Sequence, residues 1–406
     1  MFPKPPPVEQ ANAARYDLVA RSIPLLFVLM LVLISCAETN QVDNSAGDWA
    51  FTSFVKVDSL NPILTPSPDL TFTCPISGDE VQWEVRNVLN PAAVVKDDIV
   101  YLFYRAQDSS GTSRIGLATS TDGLHFVKSL SPDQDAFPVL SPDKDVFQAY
   151  EWNYKKFETD TIYDPCSNCY FDGVEDPRIV VNEAGTYIMT YTAYDGRIAR
   201  LSVATSTDLI NWTKHGTAFK EDKYHDLWSK AGAIVAEQEG DQFVAKKIDG
   251  KYWMYFGDTN IFLATSDDLI SWQICENAES QQKISVLHPR MGYFDSRLVE
   301  PGPFALYTEA GIVLIYNASN AANFNDPDLP KFTYAAGQAL FDKDKPYQLI
   351  DRTPAYFIHP DKDYEKVGEV NEVCFVEGLV QLNGQWLLYY GTADSKIAVA
   401  VGPISE

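Results

Sequence analysis

Residues Ile115–Phe126 read IGLATSTDGLHF, and similar stretches recur as LSVATSTDLINW at Leu201–Trp212 and IFLATSDDLISW at Ile261–Trp272. Each copy joins an apolar, strand-like run to a Ser-x-Asp turn that is followed by an aromatic residue. Because an active site needs such an aspartate only once, recurrence predicts that these aspartates shape turns. The three aspartates are Asp122, Asp208 and Asp268.

These stretches are parts of a longer internal repeat. Further strand-like runs mark three clear copies, a degenerate fourth copy and a fifth copy, at Ile99–Tyr104, Thr186–Tyr191, Lys251–Phe256, Gly311–Tyr316 and Gln385–Tyr390. One such unit is too small to bury a core alone, but units packed radially can do so. The pattern therefore predicts an all-β chain, a five-bladed β-propeller with a central active site, over residues 51–406. A pair of β-sandwiches is the alternative, but it does not account for five similar units.

Composition narrows the class of partner. The chain of 406 residues has a formal net charge of −24, and a nucleic-acid partner would require a basic surface. The 22 Tyr, 22 Phe and 8 Trp favour strands and surfaces on which sugars stack. We therefore expect no nucleic-acid binding.

The N-terminus has the features of an export signal. Basic residues precede the apolar run Leu25–Ile34, which is too short to span a bilayer but suits a signal peptide. The following Ser35 and Cys36 resemble a bacterial lipobox. We predict a lipoprotein signal peptide over residues 1–35, lipidation of Cys36, and a polar tether over residues 36–50. The expected location is the bacterial cell envelope, anchored by lipid and facing the periplasm or the cell exterior.

The sequence predicts no metal and no other cofactor. Cys166 and Cys169 form a C-x-x-C pair, which is compatible with a disulfide in an exported protein. A zinc site there is less favoured, because no second cysteine or histidine pair lies nearby. The histidines elsewhere lack the spacing of metal ligands.

The hexapeptide Gly173–Arg178 (GVEDPR) concentrates charged groups before the strand-like run Ile179–Val181. Since the residue before a proline is pushed to extended conformations, Asp176 is predicted to be held extended at the entrance of a strand. A carboxylate held in this way is suited to proton transfer. A solvated turn with a surface ion pair is the alternative.

Several motifs together resemble glycoside hydrolase family 130, which contains mannoside phosphorylases and β-mannosidases. They are Asn90–Ala92 (NPA), Leu102–Arg105 (LFYR), Gly173–Arg178 (GVEDPR), Lys230–Ala233 (KAGA), Val299–Pro303 (VEPGP) and Tyr389–Asp394 (YYGTAD). The resemblance implies a five-bladed propeller acting on a β-mannoside oligosaccharide.

The resemblance also implies roles for individual positions. Asp176 matches the general acid, whose proton is thought to pass through a sugar hydroxyl. Asn90, Arg105 and Asp394 match residues that hold the terminal mannose, and Lys230 matches a lysine on the acceptor or phosphate side.

Departures from the phosphorylase pattern favour hydrolysis. Phosphorolytic members carry an arginine where this chain has Phe256–Asp258, and a histidine where it has Ile315–Asn317. The loss of two cations should weaken phosphate binding by several kcal/mol, at about 1.5–3 kcal/mol per charged hydrogen bond. Glu300 and Glu377 stand where phosphorylases are usually not acidic. A carboxylate base and an acid separated by a water are what inverting hydrolysis requires.

We therefore predict an inverting β-mannosidase, with β-1,2 linkages favoured, in which Asp176 is the acid and Glu377, Glu300 or both activate water. Asp195 and Asp258 are further candidates for contact with the sugar. Two alternatives stay open: a phosphorylase that holds phosphate with other cations such as Lys230, and a non-catalytic carbohydrate-binding propeller.

Overall fold

The computed structural model describes residues 47–51, 54–128, 136–142 and 171–404, all of which belong to the unit Asn44–Glu406. The predicted signal peptide, Cys36, most of the tether and the pair Cys166 and Cys169 lie outside the described residues. No helix within the described part of the chain is long and apolar enough to cross a membrane.

Strands joined by short turns make up most of the described chain. In chain order they are β1 (Val55–Lys56), β2 (Thr71–Thr73), β3 (Glu80–Gln82), β4 (Asn87–Lys96), β5 (Ile99–Gln107), β6 (Thr112–Ser120), β7 (Asp172–Val181), β8 (Tyr187–Tyr194), β9 (Ala199–Ser206), β10 (Thr213–Thr217), β11 (Ala233–Glu239), β12 (Gln242–Ala245), β13 (Lys247–Ile248), β14 (Lys251–Phe256), β15 (Ile261–Ser266), β16 (Trp272–Ile274), β17 (Ser285–Leu287), β18 (Leu298–Pro301), β19 (Ala305–Thr308), β20 (Gly311–Ser319), β21 (Tyr334–Phe341), β22 (Leu349–Arg352), β23 (Cys374–Leu382), β24 (Gln385–Thr392) and β25 (Lys396–Pro403). The helices described are one short α-helix, α1 (Asp363–Lys366), and one 3-10 turn (Asp222–Tyr224). The predicted all-β class is confirmed.

The strands pair mostly as antiparallel meanders that follow the sequence repeats. The groups are β4-β5-β6, β7-β8-β9-β10, β11-β14-β15-β16, β18-β20-β21-β22 and β23-β24-β25. Strand β1 adds to the last group, with Val55 opposite Val401. The start of the described fold thus completes its final sheet. The radial arrangement of the groups as five blades stays a prediction.

Apolar side chains fill the space between these groups. Strand β20 is buried along its whole length, as expected for a strand covered on both faces. Phe243 of β12, Phe304 between β18 and β19, and Trp386 of β24 stack, with ring centroids 4.2 Å apart for Phe243 and Phe304 and 5.9 Å apart for Phe243 and Trp386. These contacts join parts of the chain that are far apart in sequence.

The recurring Ser-x-Asp elements are turns, as predicted. In the second copy, Asp208 Oδ1 accepts hydrogen bonds from the backbone N–H groups of Ile210 and Asn211 at 2.9 and 2.7 Å, and Ser206 Oγ donates to the same oxygen. The aromatic residue closes the turn, since Trp212 Nε1 donates to Leu209 O at 3.2 Å. Asp122 and Asp268 make the equivalent backbone contacts.

Candidate active site

Bulges in the first strands of three groups position the candidate residues. The pairing register shifts at Asn90 in β4, at Asp176 in β7 and at Glu377 in β23. Asn90 and Asp176 adopt positive φ values of 48° and 51°. A bulge re-aims a side chain, and a non-glycine residue with positive φ persists only where the surroundings enforce it. Strand β4 packs against both β7 and β23, so the three bulges converge.

This geometry corrects one prediction. Asp176 is not extended at the entrance of a strand, because β7 runs from Asp172 to Val181 and Asp176 lies within it, in the left-handed region. The bulge overrides the usual preference of a residue before proline. The surface-turn alternative is also wrong, since Asp176 is only 1% exposed.

Asp176 is surrounded by donors from three other segments. Its Oδ1 accepts from Asn90 Nδ2 at 2.9 Å and from Arg105 Nη1 at 3.3 Å, and its Oδ2 accepts from Lys230 Nζ at 3.2 Å. Burial alone would raise the pKa of Asp176, but Lys230, Arg105 and Asn90 together hold it below its usual range. Asp176 is therefore ionised in the free protein.

Glu175 shares a cation with Asp176. Its Oε1 accepts from Arg105 Nη2 at 2.8 Å and from Ser113 Oγ at 3.1 Å. Burial raises the pKa of Glu175 to about 7, and Arg105 opposes this rise. Two adjacent buried carboxyl groups that share one guanidinium titrate as a pair. Near neutral pH Glu175 is therefore partly protonated, whereas Asp176 is ionised.

Glu300 lies on the other side of Lys230. Its Oε1 is 3.3 Å from Lys230 Nζ but makes no hydrogen bond within the described residues, and the residue is 4% exposed. Burial raises the pKa of Glu300 to about 7, against the opposing charge of Lys230. Lys230 thus bridges Glu300 and Asp176, and these two carboxylates raise its pKa well above the usual value despite burial.

Glu377 is held by one oxygen only. Arg178 Nη2 donates to Glu377 Oε1 at 2.7 Å, whereas Oε2 is buried without a hydrogen-bond partner in the described structure. Arg178 is itself fixed, because it donates to the carbonyl oxygens of Pro301 and Gly302 at 2.7 Å. Burial raises the pKa of Glu377 well above its usual value, although Arg178 acts in the opposite direction.

Asn317 fixes the backbone that carries Glu377. Its Nδ2 donates to Val376 O at 2.9 Å, and its Oδ1 accepts from Val376 N at 2.7 Å. The fully buried amide therefore satisfies both backbone groups of the residue before Glu377, next to the bulge. A histidine has no side-chain arrangement that pairs with both groups in this way.

Three predicted residues remain, namely Asp394, Asp258 and Asp195. Asp394 has a φ of 50° and lines the same cleft, and burial raises its pKa to about 6. Asp258 Oδ2 accepts from the indole N–H of Trp228 at 2.7 Å. Contact between Asp195 and the sugar stays a prediction, and the oxygens of Asp195 are engaged in its own loop. They accept from backbone N–H groups of Arg197 and Ile198 and from Arg200 Nη1, each at 2.8 Å.

Some of these side chains line a cleft of about 270 Å³. Its walls include Arg105, Glu175, Tyr194, Trp228, Lys230 and Asp394. Sequence reasoning assigned no role to Glu175, Arg178, Trp228 or Asn317. One sequence signal marks the strands that carry the site: Asn90, Asp176 and Glu300 each precede a proline in the first strand of their group.

The arrangement suits acid–base chemistry. Six carboxyl groups interact with three cations among the described residues: Glu175, Asp176, Asp258, Glu300, Glu377 and Asp394 with Arg105, Arg178 and Lys230. Carboxyl groups with divergent pKa values in one buried site provide both an acid and a base. No cluster of potential metal ligands occurs in the described part of the chain.

Glycoside cleavage uses a pair of carboxyl groups in different protonation states, and this cluster provides such groups. The model of glycoside hydrolase family 130, described as beta-1,4-mannooligosaccharide phosphorylase, matches residues 60–406. The chain therefore belongs to glycoside hydrolase family 130, a family that acts on mannosides, as the sequence motifs indicated.

Proteins named as phosphorylases and proteins named as glycosyl hydrolases are both similar to the chain. A 1,2-beta-oligomannan phosphorylase from Thermoanaerobacter sp. (strain X514) is 29% identical over 333 residues, which cover 79% of this chain and 92% of the relative. A glycosyl hydrolase structure from Bacteroides ovatus is 40% identical with a TM-score of 0.79, covering 89% of this chain and 98% of that one.

A further solved structure is 41% identical with a TM-score of 0.80, and the match covers 88% of this chain and 96% of that one. It was presented under the finding that the family of mannoside phosphorylases contains glycoside hydrolases that target beta-1,2 mannosidic linkages in Candida mannan.

Proposed function

We propose that this protein is an inverting β-mannosidase that removes mannose from β-1,2-linked mannosides. The observation that carries the proposal is the pair of buried carboxylate oxygens, Glu300 Oε1 and Glu377 Oε2, that lack hydrogen-bond partners among the described residues. Leaving such an atom without a hydrogen bond costs about 1–3 kcal/mol or more, and at Glu300 the charge of Lys230 offsets part of this cost. A water donating to both oxygens would remove this cost and would lie where a hydrolytic nucleophile is needed.

The two glutamates have complementary tasks in this mechanism. Arg178 holds Glu377 in place through Oε1, which leaves Oε2 to orient the water. Glu300, with a pKa of about 7, accepts the proton from the water as it attacks the anomeric carbon. Lys230 stabilises the ionised form of Glu300 before the reaction.

The departing oxygen takes its proton from the opposite side. Near neutral pH part of the molecules carry a proton on Glu175, next to Asp176. Once a bound sugar competes with Arg105 and Lys230 for Asp176, that proton is available at Asp176. It reaches the leaving oxygen directly or through a sugar hydroxyl, and single displacement by water inverts the anomeric centre.

The residues around the carboxyl cluster disfavour the binding of phosphate. Arg105, Arg178 and Lys230 are each already paired with carboxylates. Asn317 binds backbone, and Asp258 adds a negative charge that acts on Lys230 and Glu300. A phosphate dianion needs charge-assisted hydrogen bonds to compensate for its desolvation. Here it would have to displace existing ion pairs.

A phosphorylase is the second candidate. The similar Thermoanaerobacter protein is named as a phosphorylase, and so is the family model. In that case phosphate would compete with the carboxylates for Lys230.

We also propose that the fold is a five-bladed propeller and that lipid on Cys36 anchors it in the cell envelope.

Product analysis tests the function directly. The purified chain lacking the predicted signal peptide is incubated with β-1,2-mannobiose, with and without phosphate. We expect free mannose at equal rates in both, and about 10²–10⁴-fold less with Glu300→Gln, the range for loss of acid–base assistance. Formation of mannose 1-phosphate only when phosphate is present would refute the hydrolase. The absence of turnover would refute both enzymatic candidates for this linkage.

A further inference from the structure

Trp228 is the most exposed aromatic side chain on the walls of the cleft. It is 47% exposed and lies beside Arg105, Glu175, Lys230 and Asp394. An aromatic ring of this size normally buries most of its surface, so exposure at a cleft marks a binding surface.

The Trp228 ring is fixed on two sides. Its Nε1–H donates to Asp258 Oδ2 at 2.7 Å. Its ring also meets Tyr194 edge to face, with centroids 6.0 Å apart and an interplanar angle of 68°. These contacts settle the orientation of the indole before any ligand arrives. A ring ordered in advance loses little conformational entropy when a ligand binds.

Exposure differs between the two sides of the cleft. The wall residue Glu175 is 5% exposed, and the wall residue Lys230 pairs with Asp176 and Glu300, which are 1% and 4% exposed, whereas Trp228 is 47% exposed. The side of the cleft next to the carboxyl cluster is therefore its closed end, and Trp228 lies towards its mouth. If the closed end holds the sugar that is released, the remainder of the saccharide must leave past Trp228.

We infer that Trp228 is the platform of a second sugar subsite, which stacks the apolar face of the pyranose on the leaving-group side of the scissile bond. This inference rests on the proposed function for the identity of the sugar. Pyranose C–H groups on one face meet the negative face of the indole, as in other contacts with aromatic faces. The platform makes the protein selective for saccharides over mannose and places the glycosidic oxygen near Asp176.

Calorimetric binding of β-1,2-mannobiose and of mannose tests the platform without requiring turnover. The Asp176→Asn background prevents consumption of the disaccharide. We expect Trp228→Ala to weaken mannobiose binding about tenfold, equivalent to ~1.4 kcal/mol, while mannose binding at the closed end changes less than about twofold. Trp228→Phe keeps an aromatic face and should lose about threefold or less. Tyr347→Ala serves as the matched control, because Tyr347 is 53% exposed but does not line the cleft.

Two results would overturn the platform: mannobiose affinity unchanged in Trp228→Ala, or an equal loss of mannobiose and mannose affinity. Equal loss would mean that the ring supports the closed end and not a second sugar. Thermal unfolding of each variant shows whether it is folded when its affinity is measured. Trp228→Phe keeps a ring at this position and provides a second variant if Trp228→Ala does not fold. Failure of the hydrolase proposal is distinguishable, because it shows in the reaction products and not in this comparison of affinities.

Discussion

Asp176, within β7, and Asp208, in the turn after β9, are the same residue type in one repeat unit, yet they are held in opposite ways. The hydrogen-bond partners of Asp208 lie within three residues along the chain. The side-chain donors to Asp176 lie 86, 71 and 54 residues away, in Asn90, Arg105 and Lys230. Asp208 closes a local turn, whereas Asp176 is buried and ionised because donors from distant segments surround it.

The electrostatics differ for the same reason. Partial burial would raise the pKa of Asp208, but hydrogen bonds from Asn211 and Ile210 lower it. At Asp176 burial is nearly complete, and two cations are needed to lower the pKa. Local amides suffice for an exposed carboxylate, whereas a buried one requires charges. The comparison teaches that an aspartate in a repeated motif is held by its own turn, whereas Asp176, which the repeat does not contain, is held by distant segments.

Asp176→Asn should have the largest effect on activity. The amide keeps the shape of the side chain but cannot deliver a proton, so we expect kcat to fall about 10²–10⁴-fold. Initial rates with β-1,2-mannobiose measure the loss. Asp208→Asn is the matched control and should keep kcat within about twofold. Comparable losses in both variants would contradict the distinction between the two aspartates.

The pH profile sharpens the roles at the site. Burial raises the pKa of Glu300 to about 7, so this base is increasingly protonated as the pH falls below 7. We expect kcat/KM to fall towards tenfold per pH unit on that side. Glu175, with a pKa of about 7, loses its proton as the pH rises, so kcat/KM should fall on the alkaline side too.

Glu300→Gln identifies the acidic limb of that profile. The glutamine cannot titrate, so the variant should lose the acidic limb together with most of its activity. An unchanged acidic limb would assign this ionisation to another group, of which Asp394, with a pKa of about 6, is the nearest candidate. Rates measured from pH 5 to pH 9 with about constant ionic strength separate these cases, because salt screens exposed charges more than buried ones.

Asp208→Ala should have the smallest effect, and it should act on stability alone. Its loss leaves the N–H groups of Ile210 and Asn211 to water in an exposed turn, so the free energy of unfolding should fall by about 1 kcal/mol. Denaturant unfolding measures this change, and the kcat of the same sample should be unaltered. A larger loss of activity than of stability would show that the turn influences the site.

Much of the fold was predictable because its signals are local. Strand-like runs of apolar residues, the recurring Ser-x-Asp turns and the five repeat units all depend on residues within a short stretch of chain. The motifs around Asn90, Asp176 and Asp394 also led to the site through family resemblance. The extended backbone expected at Asp176 was wrong, because a bulge enforced by neighbouring strands overrides a local preference.

Contacts that join distant segments could not be foreseen. Asp195 looked equivalent to other polar residues at strand ends, yet Arg200 and its own turn engage it. Trp228 resembled any aromatic residue of a β-rich chain, and only the structure shows it exposed at the cleft.

The sequence by itself determined the all-β class, the repeat, the turn role of Asp122, Asp208 and Asp268, and the family. These properties follow from local patterning, which each segment carries within it. Only the tertiary structure decided which carboxyl groups are paired, which oxygens of Glu300 and Glu377 lack a hydrogen bond, and which pKa values rise or fall. Burial and Coulomb interactions depend on distances in space between groups far apart in the chain, and folding alone sets those distances.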